Sequence, residues 1–199
     1  MMTNKELAEV MFPDVEHDIN YYEELYPERN LKEGAVVSRF APSPTGFVHM
    51  GSLLAAFVES KVPKDTEGVF YLRIEDTDGK RSVENGVQGI IDDLNNFDIE
   101  IDEGVISETE QKGVYGPYIQ SERREIYRTY AKHLIEEGLA YPCFCSQEEI
   151  DETRKMQELN KERIGIYGSY AKCRFLTNEE RVEMIKNGEA YFIRVKSPG

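Results

Sequence analysis

The sequence lacks the features that mark secreted and membrane-bound proteins. No apolar run in its 199 residues approaches the length of a membrane span, and the N-terminus has neither the basic nor the apolar segment of a signal peptide. Only three cysteines are present, too few for the disulfide framework of a small secreted protein. We therefore expect a cytoplasmic protein without a membrane partner.

Positive charge is also scarce. The chain has 24 lysines and arginines against 38 aspartates and glutamates, which gives a formal net charge of −14. So acidic a surface argues against broad, non-specific binding of nucleic acid, although one local basic path remains compatible with it. The hydrophobic content of 40% and the aromatic content of 11% are typical of a globular protein. The length predicts one full domain, or one domain with an insertion.

Residues 1–34 are expected to form a separate, acidic N-terminal extension. Leu7, Val10 and Met11 give a short helix one apolar edge, and Pro13 ends that helix. No catalytic constellation is visible in this extension.

Residues 36–55, VVSRFAPSPTGFVHMGSLLA, predict a strand, a turn and a helix that begins near His49 or Met50. The first turn of a helix has unpaired N–H groups and a positive dipole, so it favours an anion. Gly46 and Gly51 would let a ligand approach the backbone, and His49 would bring a further donor. The alternative interpretation is an ordinary β–α connection that contains a histidine.

Residues 68–76, GVFYLRIED, predict a second strand that ends in the carboxylates Glu75, Asp76 and Asp78. Two strands with a crossover helix form a right-handed βαβ unit, whose ligand site lies at the carboxyl ends of the strands. This rule places His49 and Glu75 beside one pocket. The alternative for Glu75 is a solvated strand end.

Five helices are expected after the first strand, the last of them capped by Thr177 and running to Asn187. The first should stop at Pro63 and direct three apolar side chains to the core: Leu54, Phe57 and Val58. A second at residues 82–97 is capped by Ser82, and a third is capped by Ser121. Ser146 with Glu149 forms a capping box for another. Residues 104–116 are interpreted as a loop.

Two clusters of functional side chains lie in the second half of the chain. Arg123, Arg124 and Arg128 would either contact a phosphate backbone or form a solvated face. Cys143, Cys145 and Cys173 offer three thiolates, whereas zinc prefers four ligands. The fourth could come from Tyr170, Tyr167, His133 or water; otherwise the cysteines are free or buried thiols.

Three segments carry a family resemblance. RFAPSPTGFVHMGSL, YLRIEDTD and GPYIQSER occur in this order and at these separations, and together they closely resemble bacterial-type glutamyl-tRNA synthetases, which are class I aminoacyl-tRNA synthetases. His49, Met50, Gly51 and Ser52 match the class signature H-x-G-H, whose last histidine is commonly missing in bacterial glutamyl enzymes. The resemblance implies an α/β fold: the first half of a Rossmann-type catalytic domain at 35–138, then the start of an inserted α+β acceptor-binding domain at 139–199.

The resemblance also implies the chemistry. ATP with Mg²⁺ and L-glutamate would form glutamyl-adenylate, and the glutamyl group would move to the acceptor end of tRNA(Glu). Four matching positions would hold glutamate, with the first pairing a substrate carboxylate and the last accepting from the ammonium group: Arg39, Ala41, Ser43 and Glu75. Five would surround the ATP phosphates, all but the second of them catalytic: Thr45, Gly46, His49, Gly51 and Ser52.

Some members of the resembled family hold zinc with C-x-C, a later tyrosine and a cysteine four residues after that tyrosine. Cys143, Cys145 and Cys173 match this pattern, but Ser169 lies four residues before Cys173 and Tyr170 is one place late. The zinc ligands implied here are the three cysteines with Tyr170.

Parts of the resembled family's enzymes do not occur in these 199 residues. The K-M-S-K-S loop, the second half of the nucleotide fold and the anticodon-binding domain lie further along in that family. We therefore expect a monomeric N-terminal fragment that does not aminoacylate alone. Three alternatives stay open: a glutamyl-Q-tRNA(Asp) synthetase, an H-x-G-H nucleotidyltransferase, and a non-enzymatic module that binds nucleotide or RNA.

Overall fold

The computed structural model describes residues 1–46, 48–78 and 83–197. Its helices are α1 (Asn4–Met11), α2 (Ile19–Leu25), α3 (Met50–Thr66), α4 (Gly86–Asn96), α5 (Arg124–Glu136), α6 (Gln147–Leu159) and α7 (Asn178–Lys186). Its strands are β1 (Val37–Phe40), β2 (Val69–Leu72), β3 (Glu103–Val105), β4 (Gln111–Lys112), β5 (Ala140–Cys143) and β6 (Phe192–Val195). No helix in the described ranges is both long and apolar enough to cross a membrane.

A four-stranded sheet in the order β1-β2-β3-β4 carries the predicted βαβ unit. β1, β2 and β3 run parallel, with Arg39 opposite Tyr71, and β4 is antiparallel to β3. Along β2 and just beyond it, Phe70, Leu72 and Ile74 are almost fully buried. The predicted α/β fold with parallel strands is confirmed.

Helix α3 crosses over between β1 and β2, but it buries a different face from the predicted one. Leu54, Phe57 and Val58 are 63%, 53% and 52% exposed, so the expectation that they face the core is wrong. Leu53 and Ala56 are buried instead. Because this part of the helix is apolar on nearly all sides, periodicity alone could not select the buried stripe.

The prediction that Pro63 stops this helix is also wrong. α3 continues to Thr66, with a buried Pro63 inside it. A proline cannot donate to the carbonyl four residues before it, here that of Glu59. The Ser38 hydroxyl of β1 donates to that carbonyl, which replaces the missing hydrogen bond.

The segment interpreted as a loop, residues 104–116, contains short strands. β3 and β4 have three and two residues, too few for an alternation pattern to show in sequence. Gly104 has a φ of +118°, and a Cβ at this position would lie 2.1 Å from the carbonyl oxygen of Leu72. Only glycine permits this close pairing with β2.

Two predicted helix starts differ from the structure. Ser82 lies outside the described residues, and α4 begins after Asn85, a left-handed residue whose side chain makes no capping hydrogen bond. Ser121 lies inside a 3₁₀ turn at Gln120–Arg123, where its N–H and hydroxyl donate to Asp76. In contrast, the capping box of Ser146 with Glu149 is confirmed.

The chain divides into two compact units, one of residues 23–125 and one of residues 1–22 with 126–199. In the second unit, α1 packs on α7. Its core includes Leu7, Met11, Ile135 and Val182, while β5 pairs with β6. Residues 1–22 therefore complete a core with the C-terminal part of the chain, a grouping that differs from the predicted boundaries at 34 and 138. The roles assigned to the predicted domains stay predictions.

Candidate functional site

Backbone hydrogen bonds join the end of β1 and the loop after it to the residues that follow β2. The Arg73 N–H donates to the Phe40 carbonyl at 2.9 Å, and the Glu75 N–H donates to the Pro42 carbonyl at 3.0 Å. These bonds continue the parallel pairing beyond the strands. The start of the loop and the acidic end of β2 are therefore adjacent, as the βαβ rule predicts.

His49 caps helix α3. Its Nδ1 accepts from the Ser52 N–H at 3.3 Å, and the Ser52 hydroxyl lies 3.2 Å from Nε2. Gly51 allows this arrangement, since a Cβ there would lie 3.3 Å from Nδ1. The predicted helix start is confirmed, and the signature residues occupy its first turn.

A cleft of about 450 Å³ opens where β1 meets the first turns of α3. Five of its lining residues are predicted site residues: Arg39, Ala41, His49, Gly51 and Ser52. The others are Phe40, Pro42, Ala55 and Glu59. The lining does not include Ser43, Thr45, Gly46 or Glu75. Their predicted roles stay predictions.

Glu59 is the residue of this cleft that sequence reasoning missed. Burial raises the pKa of its carboxyl group, and the charge of Arg39 partly opposes that shift. Its Oε2 is buried without a hydrogen-bond partner among the described residues. Ser52, Ala55 and Glu59 are three and four residues apart, so they lie on one face of α3. This spacing is the sequence signal that points to Glu59, and a pattern of apolar residues alone does not contain it.

The carboxylates after β2 have different environments. Glu75 is half-buried, and its Oε1 accepts from Nη2 of Arg73 at 3.0 Å. Asp76 accepts from the N–H and hydroxyl of Ser121 at 2.9 and 2.5 Å. Asp76 therefore anchors the 3₁₀ turn, while Glu75 lies beside the loop of the cleft.

Two of the three clustered arginines make intramolecular contacts. Nη1 of Arg128 donates to Asp14 at 2.8 Å, and Nη1 of Arg123 donates to the Pro117 carbonyl at 2.7 Å. These contacts favour a structural role for both side chains over the phosphate contact.

The three cysteines come together as predicted. Their Sγ atoms all lie within 4.8 Å of one another, and those of Cys145 and Cys173 are 3.7 Å apart. The Phe144 N–H donates to the Cys173 sulfur at 3.4 Å. Tyr170, the fourth ligand implied by the resemblance, instead donates its hydroxyl hydrogen to Glu162.

Burial and hydrogen bonds act on the thiols of this cluster in opposite directions. Burial acts to raise the pKa of Cys143, but hydrogen bonds from the Cys145 backbone and from Arg194 outweigh it and lower the pKa. Burial and the two neighbouring sulfurs raise the pKa of Cys145 to about 12. Metals bind cysteine as thiolate, so a bound ion would displace the protons of the thiols that it contacts. The spacing and chemistry of these donors fit a thiophilic ion such as zinc.

Comparison with known proteins gives one consistent family. The family model described as tRNA synthetases class I (E and Q), catalytic domain, matches residues 35–199. The glutamate–tRNA ligase of Clostridium beijerinckii is 52% identical over 198 residues, which are 100% of this chain and 36% of that protein. That of Acetivibrio thermocellus is 50% identical, again over 100% of this chain and 36% of the relative. The chain thus spans about a third of the length of these curated relatives, and they match its first 34 residues as well.

Solved structures agree. A glutamate tRNA ligase from Elizabethkingia meningosepticum, crystallised in complex with its amino acid, superimposes with a TM-score of 0.69 and 35% identity over 82% of this chain and 32% of that one. The synthetase of Elizabethkingia anophelis gives a TM-score of 0.71 and 34% identity over 83% and 33%. The chain therefore belongs to the class I tRNA synthetases for glutamate and glutamine, and it matches their catalytic domain.

Proposed function

We propose that this chain is the glutamate-activating part of a glutamate–tRNA ligase. Glutamate and ATP would form glutamyl-adenylate and pyrophosphate, and the glutamyl group would then pass to the terminal ribose of tRNA(Glu) with release of AMP. The observation that carries the proposal is the cleft in which Arg39 faces the first turn of α3 with His49, Gly51 and Ser52.

Arg39 supports recognition of a substrate carboxylate. Arg39 lines the cleft, and the planar donors of a guanidinium group match a carboxylate in two parallel hydrogen bonds. Glu75 would accept from the substrate ammonium group. Arg73 donates to Oε1 of Glu75 and thereby fixes the direction of the Glu75 carboxylate.

The start of α3 supports a phosphate site. Its dipole and N–H groups favour negative charge, which increases at the α-phosphate when the glutamate carboxylate attacks. His49 and Ser52 lie at this turn, while Thr45 and Gly46 would approach the nucleotide from the loop. Mg²⁺ would enter with ATP and neutralise phosphate charge. The protein would act by alignment and electrostatics, without a covalent enzyme intermediate.

We also propose that Cys143, Cys145 and Cys173 hold a zinc ion. The support is the fit of three close sulfurs, two of them buried, to the size of a thiolate-bound ion. Bound zinc would crosslink the end of β5 to the 3₁₀ turn at Lys172–Phe175. A monomeric state and a cytoplasmic location stay predictions.

Charging assays with the full-length protein test this function. We expect ATP-dependent transfer of glutamate to free tRNA(Glu), with no transfer to tRNA(Asp). An Arg39→Gln variant should charge at least about tenfold more slowly, because one charge-assisted pair is worth more than 1.4 kcal/mol. Lys64→Gln, on the exposed surface, is the matched control. Transfer only to tRNA(Asp) would instead identify a glutamyl-Q-tRNA(Asp) synthetase.

A further inference from the structure

The cysteine cluster provides three protein ligands where a closed zinc site needs four. No histidine, aspartate or glutamate in the described ranges has a ligand atom close enough to join the group of Cys143, Cys145 and Cys173. Structural zinc sites are almost always closed by four protein ligands, whereas sites that exchange ligands have three.

Two tyrosines lie shortly before Cys173 in the chain, Tyr167 and Tyr170, and both hydroxyls donate to groups outside the sulfur cluster. The Tyr170 hydroxyl donates to Glu162. The Tyr167 hydroxyl donates to the Arg163 carbonyl. Ligation by Tyr170 would therefore require this hydrogen bond to Glu162 to break.

A cavity of about 240 Å³ lies directly against two of the sulfurs. Its lining includes Cys145, Cys173, Glu149, Lys172 and Met184. Glu149 is committed to the capping box of α6, because its Oε2 accepts from the Ser146 N–H at 3.0 Å. The cavity therefore gives small molecules access to the sulfur cluster, and the carboxylate in its lining is held in a capping box.

The surrounding charges compensate a three-thiolate site. Three thiolates and Zn²⁺ carry a net charge of −1, and the positively charged side chain of Arg194 lies within hydrogen-bonding reach of Cys143. The buried guanidinium group of Arg181 donates to the Cys173 carbonyl at 3.2 Å. The cluster thus has positive charge beside it for three thiolates without a fourth protein anion.

We propose that zinc bound by Cys143, Cys145 and Cys173 keeps its fourth coordination position open to the cavity, where it takes an exchangeable small donor such as an imidazole or a thiol. This inference rests on the proposed zinc site. It predicts a metal centre that binds small ligands from solution, in contrast to a closed structural site.

Cobalt spectroscopy on the purified chain tests this geometry, with Co²⁺ as the metal and imidazole as the probe. We expect one equivalent of Co²⁺ to give sulfur-to-metal absorption, and imidazole to shift the visible bands saturably. Cys145→Ser should weaken Co²⁺ binding at least about tenfold. Circular dichroism of the metal-free variant would verify that it is folded.

Two further variants test whether the protein itself supplies a fourth ligand. Tyr170→Phe removes the phenol, and Glu149→Gln removes the carboxylate while keeping a capping-box side chain. Both should leave the cobalt spectrum and its response to imidazole unchanged. Binding of Co²⁺ with bands that imidazole does not shift, or a spectrum altered by either variant, would overturn the open position while preserving the metal site. Absence of any Co²⁺ or Zn²⁺ binding would overturn both.

Discussion

At the scale of single residues, Glu103 connects the segment before β1 to the sheet. It lies in β3 and accepts from Arg29 at 2.8 Å and from the Tyr118 hydroxyl at 2.7 Å. The Arg29 guanidinium also stacks 3.8 Å from the ring centre of Tyr115. The hydrogen bond from Arg29 lowers the pKa of Glu103, while burial and Glu103 raise the pKa of Tyr118 to about 12.

Glu103→Gln should lower the free energy of unfolding by about 2–3 kcal/mol near pH 7, since a charge-assisted pair is lost and Arg29 stays mostly buried. A lowered pKa in the folded state means that the stabilisation is complete above the unfolded value of about 4.3 and disappears as pH falls through the folded value. Urea unfolding at pH 7 and in acid should show the difference between wild type and variant shrinking below about pH 4.

Glu100→Gln is the matched control for this measurement, because Glu100 is 84% exposed and pairs with Lys64 only at 3.7 Å. Its effect should stay within about 0.5 kcal/mol. A Glu103→Gln effect no larger than that of the control would contradict the structural role of the Arg29 pair.

At the scale of elements, local signals were predictable and long-range partners were not. The capping box of Ser146 depends on residues three apart, and the helix start at His49 follows from an adjacent loop, so sequence sufficed for both. Ser121 failed as a cap because Asp76, 45 residues away, accepts its hydrogen bonds. Pro63 does not end α3, because the hydroxyl of Ser38 in β1 donates to the Glu59 carbonyl in place of the N–H that proline lacks.

Helix α1 carries the clearest stability prediction at this scale. Leu7 is 1% exposed in the core of the unit formed by residues 1–22 and 126–199. Leu7→Ala should lower the free energy of unfolding by about 2–5 kcal/mol through lost contacts and the cavity left behind. Lys5→Ala, on the exposed side of the same helix, should change it by less than about 0.5 kcal/mol. If Leu7→Ala and Lys5→Ala had equal effects on the free energy of unfolding in denaturant, residues 1–22 would be a dispensable extension.

At the scale of the whole molecule, the sequence predicted the site residues that belong to short motifs and missed the contacts that only the folded chain brings together. Arg39, His49 and Gly51 were found because they are close in sequence and in space. Glu59 was not, because only the packing of α3 directs it into the cleft. The cysteine trio was found from residue type and spacing, whereas the engagement of Tyr170 by Glu162 depends on the folded loop.

Glutamate-dependent ATP–pyrophosphate exchange by the full-length protein, with tRNA(Glu) present, tests the proposed site most directly. We predict exchange with glutamate in the wild type, and a loss of at least about tenfold in Glu75→Gln with ATP binding unchanged, because one ammonium–carboxylate pair is worth more than 1.4 kcal/mol. The control Glu67→Gln, which removes an exposed partner of Lys32, should exchange normally. Exchange by Glu75→Gln at the wild-type rate, or no glutamate-dependent exchange in the wild type, would contradict glutamate activation at this site.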